Sequence, residues 1–152
     1  MSDRSAEGLE GAVDLHVDTL SRLVEVGGGF IERPDLQVGP ERCRRGGVRL
    51  LCAACYTRDD DPSPGVSVEA MLELCEGIDA DPRSRARRVT TTGELEALGP
   101  DEIGLLLTIE NGRSLEGRIE PIEAWRRRGV RILGVTWNGA NELGEGGMST
   151  VR

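Results

Sequence analysis

The sequence predicts a parallel α/β fold with about four βα units, the complement of one half of an eight-stranded βα barrel. Three observations predict it. Residues 12–18, Val48–Tyr56, Ile103–Glu110 and residues 130–138 read as strands. The last three are nearly continuous apolar runs, as expected of parallel strands covered on both faces. Segments of helical periodicity separate them, so the connections are right-handed crossovers. Polar residues gather where each strand finishes: His16 and Asp18, Tyr56 and Thr57, Glu110 and Asn111, Thr136 and Asn138. Barrels of βα units carry their active sites at that end, which favours a barrel over an open sheet. No Gly-x-Gly-x-x-Gly turn follows the first strand, so a dinucleotide site has no basis. Gly27-Gly28-Gly29 lies well beyond that strand, with no P-loop Lys or Ser/Thr behind it, and reads as a flexible loop.

In the first strand, Val13, Leu15 and Val17 alternate with Asp14, His16 and Asp18, so the two sets occupy opposite faces. Buried charges are costly unless paired or bound to a metal. The single His of the chain, two residues from Asp18, can place a nitrogen and an oxygen on one cation; the alternative is a wet polar face. Thr19–Val26 is a short helix. Residues 36–45 form another, ending at Gly46-Gly47, which suits a helix C-terminus. Cys52 and Cys55 form a CxxC within the second strand, where an i, i+3 pair points to opposite faces. No second CxxC completes a zinc site, so these two, with Cys43 and Cys75, read as buried free thiols in a reducing cytoplasm.

Residues 68–78 place Val68, Met71, Leu72, Cys75 and Ile78 on one helical face, with Glu69, Glu73 and Glu76 elsewhere. Arg83, Arg85, Arg87 and Arg88, and the run 126–128, read as solvated helix or loop surface, with i, i+4 pairs such as Glu123 and Arg127. Residues 92–98 form a short helix with a Thr cap ahead of Glu94. Glu110 closes an apolar strand. It is either the first solvated residue beyond it or a carboxylate able to bridge two metal ions. Residues 119–128 form the last helix, stopped by Gly129, with Trp125 in the core beside Ile122.

A chain of 152 residues is long enough for one domain with a real core. The net charge of -8 disfavours nucleic acid and anionic membrane surfaces as partners. All 19 basic residues are Arg. Aromatics make up 3%, so Leu, Val, Ile and Ala must build the core, while 21 Gly imply many tight connections. The polar, acidic start does not read as a signal peptide. No run approaches the roughly 18 apolar residues that span a bilayer. The expected organisation is a flexible N-terminus, residues 1–11, followed by a partial barrel domain, residues 12–152.

His16, Asp18 and Glu110 make a plausible N/O ligand set for Zn²⁺. Together with Ile109-Glu110-Asn111-Gly112, the stretch from Gly129-Val130-Arg131 to Thr136-x-Asn138, Gly46-Gly47-Val48 and residues 141–146, the Asp14-x-His16-x-Asp18 strand resembles the membrane (renal) dipeptidase family. The resemblance spans roughly residues 13–147. It implies the N-terminal half of an amidohydrolase-like (β/α)₈ barrel and, for the intact enzyme, zinc-dependent hydrolysis of dipeptides. By that resemblance His16 and Asp18 ligate one zinc, and Glu110 bridges two. A bridging water is then the nucleophile on the amide carbon.

Trp137 stands where some members have a substrate-contacting His, so Trp137 and Asn138 are candidate substrate-binding residues. The family's two further ligating histidines and its substrate-binding Arg and Asp belong to later strands. This chain alone is therefore expected to be inactive, with an open sheet edge that leaves it weakly stable, aggregation-prone or paired with a second copy. The resemblance also implies a dipeptide substrate and a homodimer as one arrangement, while the unpaired cysteines point to a cytoplasmic location. The alternatives are a fragment acting only as a binding or assembly module, or an amidohydrolase-like enzyme for another amide or a lactam.

Overall fold

The computed structural model describes residues 11–31, 33 and 35–150. The expected flexible N-terminus falls, except for Gly11, outside them. Five parallel strands run β1 Ala12–Val17, β2 Val48–Tyr56, β3 Ala86–Arg88, β4 Ile103–Glu110 and β5 Val130–Leu133. Five helices intervene: α1 Thr19–Val26, α2 Pro40–Arg45, α3 Pro64–Ala80, α4 Thr92–Glu96 and α5 Glu120–Arg127. The spatial order is β1-β2-β4. The far edge of β4 is shared end to end, with β3 on Ile103–Leu105 and β5 on Leu107–Ile109. The parallel α/β expectation holds. Among the described residues no helix is long and apolar enough to cross a membrane.

Alternation along the central strands divides their side chains between two layers. Leu51, Ala53 and Cys55 of β2, with Leu105, Leu107 and Ile109 of β4, join the buried cluster with α1 and α3. Cys52, Ala54 and Tyr56, and likewise Leu106, Thr108 and Glu110, point to the other face. The β2/β4 ladder is unbroken from Leu50↔Gly104 to Tyr56↔Glu110, so the two strands end level. At the opposite end Arg49 donates to the carbonyls of Leu98, Gly99, Pro100 and Glu102, tying the turn before β4 to the start of β2.

Most local readings hold. The predicted apolar face of α3 is buried at all five positions, although the helix runs further at both ends, starting on Pro64. Thr91 and Glu94 form a reciprocal capping box. Gly47 (φ +65°) and Gly129 (φ +104°) take the left-handed conformation that follows α2 and α5. The four cysteines are free and buried, and burial pushes the Cys55 and Cys75 thiols up to about 12. Trp125 is buried, its indole N–H donating to Glu69.

Four readings are corrected. Arg87 and Arg88 belong to β3 and not to a helix or loop. Their guanidiniums are satisfied, Arg87 by Glu102 and the Asp79 carbonyl, Arg88 by the Arg128 carbonyl, which lets a charged tripeptide pair with β4. α2 begins at Pro40, whose missing N–H suits a first turn, and not at residue 36. β5 ends at Leu133, because Gly134 N–H bonds the Ile109 carbonyl and the chain then leaves the ladder to fold back over the end of β4. In β1, pairing shifts by one residue between Asp14 and Val17, and only Val17 of the apolar set is buried; Leu15 is 76% exposed.

Candidate metal centre

The ends of β1 and β4 bring the three sequence-predicted ligands together. The extra residue in β1 bends the strand between Asp14 and Val17, and the His16 N–H is held by Asp14 Oδ1 at 3.1 Å. His16 Nε2 lies 3.4 Å from Asp18 Oδ1 and 3.3 Å from Glu110 Oε2. One ligand atom from each residue falls within 4.8 Å of the other two, the one such His/Cys/Asp/Glu cluster among the described residues. His16 and Asp18 are half-exposed, whereas Glu110, at the end of the central strand, is 26% exposed.

The donor set fits a divalent cation. Zinc bonds to nitrogen and oxygen run to about 2.1 Å, which puts adjacent ligands of a tetrahedral shell about 3.4 Å apart. Both separations from His16 match. Two carboxylates converge here on a single imidazole. Burial, opposed by His16 and assisted by the Asp18 charge, raises the Glu110 carboxyl above its ordinary range. A cation among the three groups would offset that strain.

A second, neutral assembly borders the cluster. Tyr56, level with Glu110 on the same face, meets Trp137 edge to face with ring centroids 5.1 Å apart. Trp137 lies on the segment that leaves β5, with Asn138 next to it. That segment is held by residues to which the sequence reading assigned no role. Asn111 is fully buried at φ +77°, a conformation Asn tolerates better than most residues. Its Nδ2 donates to the Thr57 carbonyl and Asp59 Oδ1, and its Oδ1 accepts from Arg113 N–H and Asn141 Nδ2. Asp59 Oδ2 accepts from Gly139 N–H at 2.8 Å. The three consecutive aspartates 59–61, directly after a strand end, were the available signal.

Comparison with known proteins places this geometry in context. The profile of the family described as membrane dipeptidase (peptidase family M19) matches residues 10–152. None of the curated proteins matches the chain at a significant level. Among solved structures, a dipeptidase described as a metallopeptidase of family M19 superposes with TM-score 0.74 at 18% identity, over 86% of this chain and 44% of its own. A metallopeptidase from Rhodobacter sphaeroides, liganded with a phosphinate mimic of L-Ala-D-Ala, gives TM-score 0.70 at 17% identity, over 85% and 46%. An amidohydrolase from Pseudomonas aeruginosa gives TM-score 0.55 at 20% identity, over 69% and 31%. The fold is thus the partial barrel of these proteins, and the chain spans less than half their length.

Proposed function

The chain belongs to the membrane dipeptidase family, peptidase family M19, and we propose on that premise that its intact form is a zinc-dependent dipeptidase. The observation that carries the proposal is the convergence of His16, Asp18 and Glu110 within 4.8 Å at the strand ends. In this reading His16 and Asp18 hold one ion and Glu110 spans two, while Trp137 and Asn138 border the substrate. When bound, the metal pair supplies Lewis-acid polarisation of the scissile carbonyl and an acidified water for the attack on the amide carbon.

The chain's own residues set the conditions for that chemistry. Glu110, on the central strand and largely buried, fixes the centre of the site against the ladder. His16 and Asp18 lie on the bent end of an exposed strand and can adjust to the ion. Tyr56 and Trp137 stand together beside Glu110. The remaining ligands and the groups that grip the substrate termini belong, in this proposal, to the strands that complete the barrel. We assign the protein to the cytoplasm and allow a homodimer.

The test is hydrolysis of L-Ala-L-Ala and L-Ala-D-Ala with added Zn²⁺ by the product of the whole reading frame, sequenced beyond the codon for Arg152. Turnover abolished by His16→Ala and by Glu110→Ala is the expected result. Stoichiometric zinc without turnover of either dipeptide would redirect the reading to another amide or a lactam. A stop codon directly after Arg152 would leave the chain a binding or assembly module.

A further inference from the structure

We propose that Tyr56 and Trp137 form a preorganised wall that receives a substrate side chain, and that it selects dipeptides carrying a large apolar or aromatic residue. The inference rests on the dipeptidase reading and deepens it by naming a substrate class.

Composition first draws attention to this pair. The chain holds two Trp, one Tyr and one Phe in 152 residues. Trp125 and Phe30 are buried in the core. The other two aromatics meet beside the candidate ligands, with rings inclined at 66° and centroids 5.1 Å apart. Tyr56 is fixed on the central ladder directly across from Glu110. A molecule whose amide reaches Glu110 thus has the Tyr56 ring as an immediate neighbour. The Tyr56 hydroxyl has no hydrogen-bond partner among the described residues. Trp137 is 39% exposed, leaving a large apolar surface open at the mouth.

That surface is held still. Asp59 grips Gly139 N–H, and the Met148 N–H bonds the Asn138 carbonyl at 2.9 Å, closing the segment directly after the indole. Gly112 N–H bonds the Val135 carbonyl, and a Cβ at Gly112 would come within 2.7 Å of that oxygen. A Cβ at Gly146 would fall onto the Gly139 and Asn138 carbonyl oxygens. An exposed indole on tightly packed backbone loses little entropy on binding, which is the property a recognition surface needs. Edge-to-face geometry sets the edge of one ring on a face of the other and leaves the remaining faces to stack a third apolar group.

The experiment follows the Trp137 indole N–H resonance by NMR, assigned through Trp137→Phe, while the product of the whole reading frame, held with a chelator so that neither dipeptide is hydrolysed, is titrated with L-Ala-L-Phe or L-Ala-L-Ala. We expect the Trp137 resonance to move with about 10-fold tighter binding of L-Ala-L-Phe. Tyr56→Ala abolishes the preference, and Tyr56→Phe, which keeps the ring, retains it. Equal midpoints for the two dipeptides, no movement of the Trp137 resonance, or an unchanged preference in Tyr56→Ala would overturn the proposal. Zinc binding is measured separately by calorimetry. Its loss would count against the metal centre, while a Phe preference persisting without zinc would leave the wall standing.

Discussion

Replacing Glu110 by Gln separates the two demands placed on this side chain. In the metal-free protein a largely buried carboxylate faces Asp18 with only His16 to compensate. Its carboxyl is raised by burial first, then by Asp18. An acid raised in the folded state costs stability as pH climbs from its unfolded value to the raised one, so metal-free wild type gains stability as pH falls through the raised value. Glu110→Gln removes this burden, and the metal-free variant is expected to melt no lower than wild type near neutral pH. With zinc the order reverses. A cation at 100 times its Kd stabilises the folded state by about 2.7 kcal/mol. For a chain of this size that is a rise in Tm of about 5–11 °C. If loss of one charged ligand weakens binding about 100-fold, the same zinc concentration gives the variant only about 0.4 kcal/mol, a shift of about 1 °C. Circular-dichroism melts with zinc and with a chelator measure all four values. A wild-type Tm unmoved by zinc, or an equal rise in His16→Ala, would refute the metal centre. A metal-free Glu110→Gln variant markedly less stable than wild type would refute the strain argument.

Three other outcomes are expected. Arg49→Met strips the charged donor from four carbonyls of the turn before β4. Some of those oxygens can rehydrate, so we expect a loss of about 3 kcal/mol in urea unfolding at unchanged m-value. Arg128 grips Glu76 through two nitrogens and also meets Glu69, and it holds the Glu76 carboxyl below its ordinary range. A depressed carboxyl contributes stability above its unfolded value and loses it as pH falls through the folded one. The gap between wild type and Arg128→Met should therefore narrow with acidification, and a gap constant across that range would refute the assignment. Asp59→Ala frees Gly139 N–H and one arm of Asn111; acrylamide should then quench Trp137 more strongly, while the unfolding free energy from urea melts falls by about 1–2 kcal/mol.

Much of this architecture was legible because its causes are local. The runs of β2 and β4, the apolar stripe of α3, the Thr91–Glu94 cap and the glycines after α2 and α5 each act within a few residues of where they are read. His16 and Asp18 stood out for the same reason, since alternation alone puts them on one side of a strand. What stayed hidden depends on partners distant in sequence. β3 is a strand because Glu102 and the Asp79 and Arg128 carbonyls accept its guanidiniums, and no window around residues 86–88 contains all three. β5 stops at Leu133 because Gly134 and Val135 bond the end of β4 and the turn after it. Asn111 and Asp59 are ordinary loop residues until Gly139 and Asn141 arrive from a later segment. The apolar set of β1 shows the converse. Val13 and Leu15 are patterned for burial yet remain exposed among the described residues, so the pattern anticipates a covering layer that residues 11–150 do not provide. His16 lies on that same bent strand and Asp18 directly after it. A layer that packs on Val13 and Leu15 would also stiffen the two ligands that the present geometry leaves half-exposed.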